Sequence, residues 1–275
     1  MKNIPKEIYA ALREVKNRLV TGYYSFRIET PKDPYSILFS QKSHKVLWVL
    51  GHMRAGTSLF SHILNTHPDL IGFGETHIEY ESEADLQKLA YKVYHRLRCA
   101  NMSHQYVFDK ILHNNKIINE QLIEIPQIDI IFLIREPEET VLSLIKLKPH
   151  WNRQQAMDYY VKRLEKLEKN AQQIDNKKRC FVMTYEQLIW HTEPTFVSMK
   201  EFLKVQHPFS EEYEISEITG QKHIGDQSEN IKTGRIIRKE KKSDPQIDPK
   251  LLEKGIKAYN QCYQTLTQYC TFVEI

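Results

Sequence analysis

The chain has 275 residues, 41% of them hydrophobic, which is enough to bury the core of one large domain. Its 39 basic and 35 acidic residues give a net charge of +4, too small an excess to indicate a nucleic-acid partner. The four cysteines form no CxxC pair, so the sequence predicts neither a zinc site nor a disulfide framework, but reduced thiols in the cytoplasm.

The N-terminal segment is predicted to be a helical extension, residues 1–40, ahead of a single domain at 41–275. From Pro5 to Val20, apolar residues recur at helical spacing with lysines and arginines around them. Two interpretations of this basic amphipathic helix stay open: peripheral contact with a membrane surface, or packing on its own domain. No apolar stretch approaches the roughly 18 residues that a membrane span needs, so we expect a soluble protein.

Short apolar runs alternate with longer amphipathic helices along the rest of the chain, which is typical of a parallel sheet with crossover helices. We therefore predict an α/β fold with about five strands flanked by helices. The predicted strands are Val46–Leu50, Leu70–Phe73, Tyr106–Phe108, Ile128–Ile134 and Cys180–Met183. The predicted helices include Ala84–Arg98, one that begins at Pro137, and Gln154–Ile174. Residues 206–248 lack periodicity, and we expect a loop there that orders over a ligand.

A glycine-bounded loop, residues 51–58 (Gly-His-Met-Arg-Ala-Gly-Thr-Ser), follows the first predicted strand. Such a loop turns backbone N–H groups and a helix N-terminus toward one point, which favours anion binding. Where a triphosphate-binding loop has lysine after its second glycine, Thr57 stands here, and Arg54 supplies the positive charge. A guanidinium can grip a tetrahedral anion without a metal, so we predict a phosphate-like ligand other than a magnesium-bound triphosphate. The alternative is an ordinary glycine-containing turn.

These residues resemble the 5′-phosphosulfate loop of sulfotransferases that use 3′-phosphoadenosine 5′-phosphosulfate (PAPS). The resemblance implies a P-loop NTPase-like sulfotransferase fold, and a reaction without a metal that yields adenosine 3′,5′-bisphosphate (PAP) and a sulfate ester. It also implies that the loop binds the nucleotide through Arg54, Ala55, Gly56, Thr57 and Ser58.

A second phosphate site is what PAPS requires for its 3′-phosphate. Arg135 follows the strand Ile128–Ile134, and Ser143 stands eight positions later. This pair resembles the 3′-phosphate site of the family, and the resemblance implies that both side chains contact that phosphate. In the alternative interpretation, Arg135 pairs with Glu138 or Glu139, and Ser143 only fills its helix.

Two further elements extend the resemblance. Tyr185 and Glu186 follow the strand Cys180–Met183, as in the tyrosylprotein sulfotransferases, which implies that Tyr185 lies near the nucleotide. Ser228, with Lys232 and Arg235, is loosely similar to a loop that covers PAPS in bacterial members of the family, and the alternative is a polar surface loop.

The reacting groups are also assigned by resemblance. Glu75 stands 21 residues after Arg54 and before a threonine, like the catalytic glutamate of the tyrosylprotein enzymes, which implies that it is the base. Lys110 resembles the lysine of an aspartate–lysine element, which implies that it stabilises charge on the bridging oxygen. The alternatives are a solvated glutamate and a surface lysine paired with Asp109. His113 is a weaker candidate for the acceptor pocket.

The predicted function is therefore transfer of a sulfuryl group from PAPS to a hydroxyl of a carbohydrate, glycolipid, small metabolite or tyrosine. Two alternatives remain at this stage. One is a P-loop nucleotide kinase or hydrolase, and the other is a nucleotide-binding module without catalytic activity.

Overall fold

The structure, a computed structural model, describes residues 6–215, 231–238 and 247–274. Within these residues the strands are β1 (Lys45–Gly51), β2 (Leu70–Ile71), β3 (Tyr106–Ile111), β4 (Ile128–Ile134), β5 (Cys180–Thr184) and β6 (Thr271–Phe272). They form one sheet in the order β2-β3-β1-β4-β5-β6, and every neighbouring pair is parallel. The predicted α/β fold with a parallel sheet is thus confirmed.

Helices cover both faces of this sheet. The described α-helices are α1 (Lys6–Glu29), α2 (Thr57–Thr66), α3 (Ala84–Leu97), α4 (Pro137–Leu147), α5 (Arg153–Ile174), α6 (Tyr185–Trp190), α7 (Thr192–Leu203) and α8 (Pro249–Tyr269). Val46, Trp48 and Leu50 pack into one core with α3, α5 and α8, whereas Leu47 and Val49 pack into a second core with α2 and α7. Because strand side chains alternate between faces, the unbroken apolar run of β1 reflects burial on both sides.

The strand order brings a crevice to the carboxyl end of β1. The chain adds β2 and β3 on one side of β1, and β4, β5 and β6 on the other. At such a switch point the connections leave the strand ends in opposite directions, and ligands of α/β proteins bind between them. The segments that follow β1, β2, β3 and β4 all meet at this edge.

Helix starts near this edge follow from local sequence. Pro137 opens α4 as predicted, because proline lacks the N–H that a first helical turn leaves unpaired. Asn152 and Gln155 form a reciprocal capping box at the start of α5, and Thr184 and Gln187 form another at α6. These caps fix where the chain leaves the loops around the crevice.

Four elements differ from the prediction. β2 ends at Ile71, two residues before the predicted Phe73. β3 continues to Ile111, so Asp109 and Lys110 belong to the strand rather than to the loop after it. The short edge strand β6 was not predicted, because two exposed residues carry no detectable periodicity. α1 extends to Glu29, nine residues beyond the predicted end, and its C-terminal part packs on α3. The division of the chain at residue 40 stays a prediction.

Candidate active site

The loop between β1 and α2 depends on two glycines. Gly56 has a φ of +86°, and a Cβ atom there would lie 2.3 Å from Cδ2 of Tyr185. A Cβ atom on Gly51 would lie 2.7 Å from the carbonyl oxygen of Leu133. Gly56 is the N-cap of α2 and supplies no side-chain cap, so the first N–H groups of this helix keep their capacity to bind an anion.

Four predicted nucleotide-binding residues come together beside this loop, and we call Arg54, Arg135, Ser143 and Tyr185 the arginine cluster. Nε of Arg54 donates a hydrogen bond of 2.7 Å to Oγ of Ser143. Arg135 donates one of 3.3 Å to the carbonyl oxygen of Arg54, and its guanidinium carbon lies 4.1 Å from the centre of the Tyr185 ring. The side chain of Arg54 therefore lies with the residues predicted for the 3′-phosphate.

Arg135 also forms the ion pair that the alternative interpretation predicted. Its guanidinium contacts the carboxylate of Glu139, one turn further along α4. Its Nε is buried without a hydrogen-bond partner among the described residues. A guanidinium has five N–H donors, so the ion pair leaves donors for a phosphate. The role of Arg135 in nucleotide binding stays a prediction.

On the other side of β1, the predicted base and cation meet at the loop, and we call Glu75, Lys110, Ser58 and His113 the transfer cluster. Nζ of Lys110 lies 3.6 Å from Oε1 of Glu75 and 3.4 Å from Oγ of Ser58. Only 2% of the Lys110 side chain is exposed, so it is not the surface lysine of the alternative interpretation. Nε2 of His113 lies 4.0 Å from Oε2 of Glu75, and burial lowers the pKa of His113.

Asp109 fixes the segment that carries Glu75. Its carboxylate accepts hydrogen bonds from the Thr76 N–H (2.9 Å), the Thr76 hydroxyl (2.6 Å) and the Tyr80 hydroxyl (2.7 Å). Burial raises the pKa of Asp109, and these hydrogen bonds oppose that rise. Lys110 in turn donates its backbone N–H to the Gly74 carbonyl at 3.2 Å. Hydrogen bonds thereby join β3 to Gly74 and Thr76, the residues on either side of Glu75.

Arg163 of α5 supports the crevice from beneath and was missed by the sequence analysis. It donates hydrogen bonds to the carbonyl oxygens of Gly51 and Ile111, both at 2.7 Å, and to the side chain of Asn114 at 2.8 Å. Burial lowers its pKa to about 10, so it remains charged at neutral pH. Arg163 stands three residues after Tyr160, on the buried face of α5. A charged residue at a buried helical position is uncommon, and this could have drawn attention to it in the sequence.

His52 joins the loop to the end of β4. Its Nε2 accepts the backbone N–H of Arg135 at 3.1 Å, so Nδ1 carries the proton and donates to the carbonyl of Met53 at 3.0 Å. Burial lowers the pKa of His52 to about 4, and the ring is therefore neutral at neutral pH. The Tyr160 hydroxyl donates to the Arg135 carbonyl at 2.7 Å from the other side. The backbone of Arg135 is thus held at both its N–H and its carbonyl.

The remaining predicted site residues differ in where they lie. Ala55 is buried in the loop, and its N–H donates to the carbonyl oxygen of His52 at 3.2 Å. Thr57 is buried at the first position of α2, so its contribution to anion binding would come from its backbone N–H group. Lys232 and Arg235 are exposed on a segment whose Gly234 carbonyl accepts the N–H of Tyr213 at 2.8 Å. Ser228 lies outside the described residues.

The sequence model of a sulfotransferase family matches residues 77–210. Over these residues, just under half of the chain, the sequence is similar to the sulfotransferase family. The match confirms the family resemblance stated above, and it includes Lys110, the whole segment from Arg135 to Ser143, and Tyr185. No curated protein matches the chain in sequence.

Solved structures of sulfotransferases share this fold. The sulfotransferase domain from the curacin biosynthetic pathway has a TM-score of 0.53 and 13% identity, over 83% of this chain and 98% of that one. The sulfotransferase domain of the Synechococcus PCC 7002 olefin synthase has a TM-score of 0.54 and 15% identity, over 83% of this chain and 96% of that one. A more distant likeness, at a TM-score of 0.44 and 10% identity over 90% and 86%, is to a retinol dehydratase solved with retinol and PAP. The first two likenesses, each with a TM-score above 0.5, confirm the sulfotransferase fold.

Proposed function

We propose that this chain transfers the sulfuryl group of PAPS to a hydroxyl group, giving PAP and a sulfate ester. The family match of residues 77–210 supports the reaction class. One observation supports the proposal most directly: the Lys110 ammonium lies 3.6 Å from the Glu75 carboxylate and 3.4 Å from the Ser58 hydroxyl at the phosphate loop. A cation between a base and an anion-binding loop suits transfer of a negatively charged group.

The arginine cluster would hold the nucleotide. Arg135 and Ser143 would bind the 3′-phosphate, since both contact Arg54: Arg135 donates to its carbonyl oxygen, and the Ser143 hydroxyl accepts from its Nε. Arg54 lies with this pair, so we assign it to the nucleotide phosphates rather than to the transferring sulfuryl group. The N–H groups of Gly56, Thr57 and Ser58 would bind the 5′-phosphosulfate, as helix N-termini bind phosphates.

The transfer cluster would carry out the reaction. Glu75 takes the proton of the acceptor hydroxyl, whose oxygen attacks the sulfur as the bond from sulfur to the 5′-phosphate oxygen breaks. Lys110 and Ser58 stabilise the negative charge that grows on this leaving oxygen. Such in-line transfer depends on positioning and on charge stabilisation. The fixed hydrogen bonds of Asp109 supply that positioning.

The identity of the acceptor is the most specific part of the proposal. We keep the four classes that the sequence motifs suggested: carbohydrates, glycolipids, small metabolites and tyrosine. Fold likeness does not discriminate between hydroxyl groups. The acceptor must present its hydroxyl within hydrogen-bonding distance of Glu75, about 2.6–3.2 Å, which sets the geometry for any candidate.

Calorimetry with PAP in the presence of EDTA tests the nucleotide half of the proposal. We expect binding at micromolar PAP or better without added metal, and weaker binding of magnesium-bound ATP. Transfer from labelled PAPS to a panel of the four acceptor classes then tests the reaction. Failure to bind PAP together with magnesium-dependent ATP turnover would overturn the proposal in favour of a kinase or hydrolase.

A Glu75→Gln variant separates an enzyme from a binding module. We expect this variant to bind PAP like the wild type and to lose transfer, by roughly 10²- to 10⁴-fold if glutamate is the base. Glu81→Gln is the matched control, because Glu81 is exposed and lies six residues further along the same segment. Equal transfer rates for wild type and Glu75→Gln would contradict the assignment of the base.

A further inference from the structure

The N-terminal part of α1 exposes a line of large apolar side chains. Ile8, Leu12, Val15, Leu19 and Phe26 are each at least half exposed, and Leu19 reaches 70%. Every residue from 8 to 19 is exposed, so this part of the helix extends beyond the packed body. At 3.6 residues per turn the five side chains fall within about 60° of one another. We call them the apolar stripe.

The apolar stripe is not the face through which α1 binds its own domain. Tyr24 and Ile28 are the buried side chains of the helix, and they point to the side opposite the stripe. On that side Thr21 lies 3.3 Å from the ring of His95, and Gln87 donates to the Ile28 carbonyl at 2.8 Å. Packing on α3 therefore leaves the stripe directed outward.

Phe39 extends the same surface from the connection between α1 and β1. Its side chain is 80% exposed although its φ is +62°, a conformation that few residues with a side chain adopt. Its ring centre lies 6.4 Å from that of Phe26, and the Arg27 guanidinium lies 5.5 Å from it. An uncommon backbone conformation thus presents an aromatic ring to solvent beside the end of the stripe.

Positive charge is concentrated in the segment that carries this surface. Residues 6–45 contain eight lysines and arginines against four acidic residues, a net charge of +4. The rest of the chain contains 31 of each and is neutral, so this segment holds the whole excess charge of the protein. Lys16 and Arg18 are both exposed and flank the stripe on its two sides, and Arg18 also pairs with Glu14. An anionic partner is the complement of this surface.

We infer that the apolar stripe and Phe39 insert into an anionic membrane surface, with α1 lying in the plane of the interface. Amphipathic helices with apolar and aromatic side chains on one face and cations beside them bind lipid in this manner. None of the helices in the described parts of the chain is long and apolar enough to span a bilayer. The proposed contact is therefore peripheral, and it is independent of the reaction proposed above.

Charge favours lipid over a second copy of the chain as the occupant. In a symmetric contact between two stripes, the flanking cations Lys16 and Arg18 of each copy would approach the same cations of the other. Like charges facing each other across an interface destabilise it. Anionic lipid headgroups instead attract these cations.

Flotation with lipid vesicles tests the inference on the full chain. We expect the protein to float with phosphatidylcholine vesicles that contain about one third phosphatidylserine, and much less with phosphatidylcholine alone. The double variant Leu12→Glu/Leu19→Glu should lower the partition coefficient by at least about tenfold, because charged residues replace two inserted side chains. Val197→Glu is the matched control, since Val197 is 53% exposed on α7, and it should float like the wild type.

A charge reversal tests the electrostatic part. Lys16→Glu should weaken binding to the anionic vesicles by roughly fivefold or more, with little change on neutral vesicles. Lys169→Glu, an exposed lysine of α5, makes the same charge change away from the surface and should have a smaller effect. Unchanged thermal unfolding of each variant would show that the fold is retained, as the exposure of these residues leads us to expect.

Three results would overturn the inference. One is failure of the wild type to float with anionic vesicles at low salt. Another is equal flotation of the wild type and Leu12→Glu/Leu19→Glu. The third is a wild-type dimer, measured by light scattering, that this double variant converts to a monomer without any vesicle binding, because the stripe would then bind a second copy.

Discussion

The transfer cluster and the arginine cluster lie at the same edge of the sheet, on opposite sides of β1, but their charges are balanced differently. In the transfer cluster Lys110 faces Glu75, so one cation meets one anion. The arginine cluster has two guanidinium groups, and that of Arg135 contacts the carboxylate of Glu139 and interacts electrostatically with that of Glu186. An added anion would therefore meet two guanidinium groups in the arginine cluster, but a single ammonium group beside a carboxylate in the transfer cluster.

The two clusters also differ in what holds them in position. The transfer cluster depends on a buried group outside it, Asp109, whose hydrogen bonds to Thr76 and Tyr80 fix the segment that carries Glu75. The arginine cluster is held partly by contacts between its own members, such as Arg54 with Ser143. A bound ligand can replace contacts between members of the arginine cluster. The hydrogen bonds of Asp109, which lies outside the transfer cluster, instead keep the reacting groups in place. We therefore expect turnover to depend on the first cluster and affinity on the second.

The largest effect is expected for Lys110→Ala. Loss of a cation that stabilises the leaving oxygen should lower kcat by about 10²- to 10³-fold. PAP affinity should fall by less than about tenfold, because the arginine cluster is untouched. The measurements are transfer rates with labelled PAPS and calorimetry with PAP. Lys88→Ala, which removes an exposed lysine of α3, is the control. Equal losses in kcat and in PAP affinity would contradict the expectation that the transfer cluster governs turnover and the arginine cluster governs affinity.

Arg135→Ala tests the other side of the comparison. A charge-assisted hydrogen bond contributes about 1.5–3 kcal/mol, so PAP affinity should fall by roughly 10- to 100-fold. At saturating PAPS, kcat should stay within about threefold of the wild type, because Glu75 and Lys110 are unchanged. Arg153→Ala, at an exposed position in the first turn of α5, is the control. Unchanged PAP affinity would show that Arg135 serves only its ion pair with Glu139.

The sequence predicted the two reacting residues, Glu75 and Lys110, but not the buried residues that hold the site in position. Glu75 and Lys110 follow or end neighbouring parallel strands, and the carboxyl ends of such strands share one edge. The family resemblance selected these two residues, and their places at neighbouring strand ends predicted that they would lie at the same edge of the sheet. Their roles in the reaction remain predictions, since the structure supplies only their proximity.

The residues that hold the site in position could not be predicted from the sequence, because their hydrogen-bond partners are mostly backbone groups. Arg163 binds the carbonyl oxygens of Gly51 and Ile111, and His52 accepts the N–H of Arg135. Any residue offers such backbone groups, so no residue type in the sequence marks the partner. The contacts depend on how far α5 and β4 extend past β1, which is a property of the packed fold.

Gly56→Ala tests whether the two clusters share one rigid loop. The positive φ and the contact with Tyr185 should together lower the free energy of unfolding by about 1–3 kcal/mol. In a Tyr185→Ala background the same change should cost about 1 kcal/mol, because the clash is gone and the backbone strain remains. The measurement is denaturant unfolding of all four variants in this cycle.

Gly22→Ala is the control for that cycle. A Cβ atom at Gly22 meets no atom within 4 Å, and the residue lies inside α1. Alanine should therefore raise the free energy of unfolding slightly, by about 0.5–1 kcal/mol. If Gly56→Ala also proved neutral or stabilising, the loop would be adaptable rather than fixed by Tyr185.

The smallest effect at neutral pH is expected for His52, which links the loop to the arginine cluster. Burial lowers its pKa to about 4 from an ordinary value of 6.5, so the unfolded chain binds more protons between these values. The neutral ring thus contributes stability that is complete above pH 6.5 and is lost as the pH falls toward 4. His52→Gln should remove this share of the pH dependence, with a slope of at most about 1.4 kcal/mol per pH unit.

His44 has the same lowered pKa of about 4, so wild-type unfolding alone does not isolate His52. Denaturant unfolding from pH 7 to 4 of wild type, His52→Gln and His44→Gln separates the two contributions by difference. The free energy of unfolding of the wild type minus that of His52→Gln should decrease as the pH falls, whatever the value of this difference at pH 7. Parallel curves would mean that His52 is not held neutral by burial, and its acceptance of the Arg135 N–H would then not be the contact that joins the loop to β4.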